Sequence, residues 1–226
     1  MDIKQELTAA LENKIAFNIP LFGGIPVPES TVVSWILIAG ITLVAIWLTH
    51  DMKKVPGRKQ MVAETLVGFL NNFCKENLGE HWRQFAPYIG TMAIYLVLAN
   101  LSEFVGLTPP TKDLNVTAGL AFIAVVLIYG SSFRIKGLKG GLHKFVEPSP
   151  IIAPLNILEI GIRPLSLCMR LFGNVFASFV IMELIKLVAP LIVPIPLSLY
   201  FDAFDGIIQA VVFIFLTTLF LGEAIE

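Results

Sequence analysis

Charge is what this sequence has least of. Only 15% of its 226 residues are Asp, Glu, Lys or Arg, whereas 56% are hydrophobic and the mean hydropathy is +0.79. A soluble domain usually carries about 25% charged residues, so the balance indicates an integral membrane protein. The net charge of -1, with no basic patch interleaved with aromatics, argues against a nucleic-acid partner. Cysteine is scarce too: Cys74 and Cys168 lie far apart without metal-ligand spacing, and read as two unpaired packing thiols. The histidines are His50, His81 and His143; none has zinc-site spacing and none follows residue 143. No fixed metal and no cofactor is expected. No internal repeat or low-complexity tract is present. The opening Met1-Asp-Ile-Lys-Gln-Glu-Leu lacks the basic region and apolar core of a signal peptide.

Long apolar runs organise what remains. Residues 1–30 read as a short surface helix and a Pro/Gly-rich loop. Residues 31–49 hold a first span, nearly long enough for about 30 Å of hydrocarbon. Residues 50–84 comprise a basic loop (Lys53, Lys54, Arg58, Lys59) and a helix with Val62, Leu66, Phe69 and Phe73 on one side, amphipathic and suited to a membrane face. Residues 85–135 hold two more spans, the first interrupted near its end by Asn100 and Glu103. A second basic loop follows at 136–150, and 151–226 forms a helical hairpin closed by a Pro-rich turn at 190–196. The expected fold is therefore all-α, a single polytopic membrane domain of five spans plus one interfacial helix. With both basic loops in the cytoplasm, the N-terminus lies outside and the C-terminus inside.

One cation violates the pattern. Arg170 sits near the middle of the apolar run 165–189. A guanidinium stays protonated at any physiological pH, and at the centre of a bilayer helix it costs about 2.5–3.5 kcal/mol on insertion scales. Glu159, Arg163, Ser166, Arg170, Asn174 and Ser178 follow one another by steps of four, three, four, four and four, which keep to one side of a helix. Asp202, Asp205, Gln209 and Thr217 form a second polar stripe on the last helix, and a hairpin can bring the two stripes together. Buried ionisable groups in membranes face a protein interior or an aqueous cavity and mark ion pathways. Taken alone, Asp202 and Asp205 also read as caps of a helix start. Glu159 and Arg163 read equally as a helix ion pair or as pathway groups, and so do Glu183 and Lys186, three apart.

The segment Leu165-Ser-Leu-Cys-Met-Arg170-Leu-Phe-Gly-Asn174 closely resembles the signature of subunit a of F-type rotary ATP synthases. The resemblance extends over essentially the whole chain, through Asp113-Leu-Asn-Val-Thr117, Pro154-Leu-Asn156-Ile-Leu-Glu159 and Gln209. It implies an ion-translocating stator subunit in a bacterial plasma membrane, with no catalytic site of its own. Its partners would be a ring of c subunits, a peripheral stalk of b subunits, the remaining synthase subunits and membrane lipid. H⁺ or Na⁺ would reach the ring carboxylate through one half-channel and leave through another. The long tilted final hairpin would lie against the ring. Arg170 would be the essential coupling residue, with Asn174 and Gln209 as its polar partners. Glu159 and Ser166 would line the cytoplasmic half-channel; Asp113, Asp202 and Asp205 would line the outer one.

One position departs from the family pattern. Many relatives carry an acid or histidine nine residues after the arginine, coupled to the position of Asp202; here Phe179 stands there. The outer acids must then be arranged differently, through Asp205 or Glu183. Together with the lack of histidine beyond residue 143, this leans toward a Na⁺-compatible path. Two other classes fit less well. A secondary transporter would show inverted repeats, which are absent. An intramembrane hydrolase would need a base beside Ser166 or Ser178, and no histidine is near either in sequence.

Overall fold

The computed structural model describes residues 15–19, 25–50, 52–143, 153–188 and 194–225. The surface helix expected at the start of the chain, the second basic loop at 144–150 and most of the Pro-rich turn fall outside them.

The loop expected before the first span is instead a small antiparallel hairpin. Strands β1 (Ile15–Ile19) and β2 (Ile25–Pro28) pair Phe17 with Val27 and Ile19 with Ile25. Its alternation Ile15, Phe17, Ile19 is a period-two signal inside an otherwise helical protein. From β2 the chain passes directly into α1 (Glu29–Thr49). Helix α2 (Arg58–Leu78) follows a short loop, and a 3-10 turn at Gly79–His81 joins it to α3 (Trp82–Leu101). Next come α4 (Leu114–His143), α5 (Ala153–Val188), a short α6 (Pro194–Ser198) and a π-helical turn (Leu199–Asp205). Helix α7 (Gly206–Ile225) ends the described chain. Among the described residues five segments are long and apolar enough to cross a membrane, as the sequence suggests.

Helix α7 is the axis of the packing. Ala210, Phe213, Ile214 and Leu221 are buried against α3 and α4, and the core continues through Ile89, Leu96, Ile128, Leu167 and Leu171. Thr217 and Thr218, also buried, donate to the carbonyls of Phe213 and Ile214 at 2.8 and 2.7 Å, so neither hydroxyl is stranded in the apolar interior. The expected hairpin of the last two spans is thus only part of the arrangement. Helix α5 packs chiefly on α4, and α7 chiefly on α3 and α4.

Helix α2, the amphipathic segment, packs along α3, with Leu70 Cδ1 3.3 Å from where a Cβ on Gly90 would sit, and its Cys74 and Leu78 are buried. One other element differs from the sequence reading. Helical winding reaches His143, beyond a kink at Gly137, where a basic loop was expected. Gly137, at φ 73°, interrupts it; only glycine enters that region without strain. Helix α1 stays at the periphery. Val33 is its one fully buried apolar residue, and Ser34 Oγ pairs with Tyr95 Oη at 2.7 Å.

Candidate functional site

The 36 residues of α5 would reach about 54 Å at 1.5 Å per residue, well beyond the hydrocarbon thickness, which requires tilt or kinking. Pro164 lies within it and removes one backbone donor from the ladder. Leu167, Leu171, Val175 and Met182 recur at helical spacing and form its buried face, and the Cys168 thiol donates to Thr117 Oγ1 of α4 at 3.7 Å. Arg170 is on the other side. It is exposed, beside exposed Leu165, Ser166 and Met169, two residues from the midpoint (172) of the span Leu158–Lys186. Among the described residues no carboxylate pairs with it.

The polar stripe does not stay at the surface. A four-residue step overshoots the 3.6-residue turn by about 40°. From exposed Arg170 the stripe therefore turns inward through half-buried Asn174 to buried Ser178. Toward the start of α5 the stripe ends in an ion-pair cluster. Arg163 Nη2 donates to Glu159 Oε2 at 2.9 Å, and Nη1 lies 3.0 Å from Glu223 Oε2 near the end of α7. The guanidinium also stands 4.8 Å from the centroid of the Phe220 ring. Both carboxylates are about half exposed, so the cluster fastens α5 to α7 while remaining in reach of water.

At the opposite end Ser178 meets a different set of groups. Asn100, Glu103, Ser178, Phe201, Asp205 and Gly206 line a crevice of about 10 Å³, room for roughly one water molecule. Asn100 organises it. Its Nδ2 donates to the Gly206 carbonyl at 2.7 Å, and its Oδ1 accepts from Thr111 at 2.8 Å. A Cβ on Gly206 would lie 3.0 Å from Asn100 Cβ, so glycine is what allows this approach. The π turn ends at this contact. Its winding is wider than the α-helical count assumes. Asp202 lies in that turn, and its side chain is outside the description. Gln209 Nε2 donates to Asp205 Oδ1 at 3.3 Å. Among the described residues neither Asn174 nor Gln209 bonds Arg170.

Asp113 has its oxygens engaged elsewhere. It is 1% exposed, accepts from Ser30 Oγ at 2.8 Å and from the Asn115 backbone at 2.9 Å, and so caps the start of α4 and pins α1 to it. Glu183 pairs with Lys186 at 2.9 Å, the local ion-pair alternative. Phe179 lies beneath Lys112, whose Nζ is 3.3 Å from the ring centroid. Glu103 and Asn100 are the site residues that the sequence reading passed over. Their signal was present: two polar groups three residues apart at the end of an apolar run.

A family model described as ATP synthase A chain matches residues 31–222. The chain is 34% identical over 218 residues to a Propionigenium modestum protein named ATP synthase subunit a, sodium ion specific, an alignment covering 89% of this chain and 75% of that one. It is also 34% identical over 209 residues to ATP synthase subunit a of Moorella thermoacetica, covering 90% and 94% respectively.

Proposed function

This chain belongs to the ATP synthase A chain family, and from that membership we propose how its residues move an ion. It is the ion-translocating membrane subunit of an ATP synthase, a multi-pass protein without a catalytic site for ATP chemistry. The observation that carries the mechanism is the exposure of Arg170 at mid-span. A permanent cation at that depth needs a counter-charge, and among the described residues this chain offers none. The partner is a carboxylate on a neighbouring ring of c subunits, which meets the apolar face around Met169 and Leu165.

A ring carboxylate facing lipid is neutral, with a proton or a cation bound. Near Arg170 its ionised form is favoured, and the bound ion is released. The same charge repels a free cation crossing from one side to the other. Asn174 and Gln209 keep the region polar without adding a negative charge that would neutralise the arginine. On the cytoplasmic side the path runs by Glu159, Arg163, Glu223 and Ser166. On the outer side it runs through the Glu103–Asp205–Ser178 crevice, with Asp202 on the adjoining turn. Asp113 and Glu183 serve structure in this reading: one caps α4 and the other pairs with Lys186. The N-terminus lies outside the bacterial plasma membrane, and b subunits complete the stator.

The coupling ion in this reading is Na⁺. Carboxylate, amide and hydroxyl oxygens line the outer crevice, the hard ligands that such a cation takes, and no histidine follows residue 143. The relative named sodium ion specific agrees with this choice. The test is ATP-driven sodium uptake into liposomes carrying the whole complex, with and without a protonophore. Uptake that persists or rises with protonophore supports Na⁺. Acidification of the lumen without sodium uptake makes this a proton-driven subunit, and movement of neither ion by an assembled, ATP-hydrolysing complex defeats the mechanism.

A further inference from the structure

We propose that the pocket at the joint between α1 and α2 binds the phosphate headgroup of an anionic membrane phospholipid. The pocket has a volume of about 360 Å³ and is lined by Trp47, His50, Lys53, Arg58, Lys59 and Gln60. Residues 50–60 carry four cations, Lys53, Lys54, Arg58 and Lys59, against the single acid Asp51. Trp47 is in the last turns of the span Glu29–Thr49, so the pocket opens at the depth of lipid headgroups, where tryptophan is enriched.

The site is built rather than merely basic. Gln60 clamps the loop in both directions: its Oε1 accepts from the Lys53 amide, and its Nε2 donates to the Lys53 carbonyl, each at 3.0 Å. Gln60 Nε2 also donates to Glu64 at 2.7 Å, which fixes the clamp to α2. The Lys59 ammonium stands 3.9 Å from the Trp47 ring centroid, closing the wall between the two helices. The first turn of α2 presents the positive end of its dipole here. It has no side-chain cap and no acidic residue, and it begins with two cations. That arrangement has the wrong sign for a helix start unless an anion completes it.

A lipid suits the site better than a free anion because one side of the pocket is apolar. Trp47 leads to exposed Val44 and Leu43 on α1, and Met61 and Val62 are exposed on α2, so acyl chains have a surface to follow from the headgroup. Basic pockets beside spans at a membrane face bind anionic headgroups in this way.

The test uses the full chain in nanodiscs. With Trp35→Phe and Trp82→Phe, Trp47 is the only tryptophan left to report. Bromine-labelled phosphatidylglycerol should quench it more strongly than equally labelled phosphatidylcholine at the same mole fraction. Lys53→Gln and Arg58→Gln should each weaken that preference by about fivefold, the worth of one cation near an anionic surface. Gln60→Leu changes no charge but removes the clamp, and should abolish most of the preference; Lys75→Gln, at the far end of α2, should leave it intact. Phospholipid counts on the purified chain with its tryptophans intact read the same preference if the tryptophan variants fail to fold. Equal quenching by both lipids overturns the proposal. So does a preference indifferent to Gln60→Leu and as sensitive to Lys75→Gln as to Arg58→Gln, which is diffuse attraction. Loss of the preference on adding inorganic phosphate, with no dependence on the acyl chains, assigns the pocket to a free anion instead.

Discussion

The Lys112 ammonium stands 3.3 Å from the ring centroid of Phe179, joining the turn before α4 to the second half of α5. Lys112 is 7% exposed, so the contact is made in a largely desolvated place. Phe179 stands where the family resemblance implies an acid or a histidine, and in this chain the residue in that place faces a cation. Removing the ring by Phe179→Leu should cost about 2 kcal/mol, the size of a desolvated cation–π contact. The purified subunit would then unfold at a lower temperature in detergent. Phe179→Glu supplies an opposite charge to the same ammonium and should accumulate normally, whereas Phe179→Lys should not.

Gly206 and Asn100 make the next test. With a methyl group destined to lie 3.0 Å from Asn100 Cβ, Gly206→Ala must push α7 from α3 or strain the hydrogen bond between them. A loss of about 1–3 kcal/mol in thermal unfolding is expected, as for overpacking elsewhere. Gly119→Ala, where no neighbouring atom lies within 4 Å, should be silent and serves as the comparison.

The outer crevice makes the third. Glu103→Gln and Asp205→Asn keep size and hydrogen bonding while removing a charge from the path. Each should lower ion-driven ATP synthesis by about tenfold or more, the effect of ~1.4 kcal/mol on the limiting barrier, at unchanged subunit abundance. Wild-type synthesis in both variants would move the outer path away from this crevice.

The legibility of the chain follows from which signals are local. The five spans are legible because burial in lipid demands long apolar runs, and Arg170 because a guanidinium inside such a run cannot shed its charge. The β1–β2 hairpin was missed although Ile15, Phe17 and Ile19 alternate, because a Pro/Gly-rich neighbourhood reads as loop. The π turn has no local signature, and a count at 3.6 residues per turn does not register its wider winding. Glu103 reads as an interruption at a span's end, since the crevice it lines brings in Ser178 and Asp205, distant in sequence. For Asp113 the residue is legible in the sequence and its hydrogen-bond partners are not. Its oxygens are taken up by Ser30 and Asn115, and partners 83 residues apart leave no trace in spacing.

Arg170 carries the central claim: an exposed mid-span cation whose counter-charge belongs to another chain. The direct test is ATP synthesis by the reconstituted complex under an imposed ion gradient, with Arg170→Ala beside wild type, at matched assembly and matched ATP hydrolysis by the detached catalytic sector. Synthesis at background is expected, together with a raised passive ion leak through the membrane sector. Synthesis near the wild-type rate in the alanine variant, with no added leak, would contradict it.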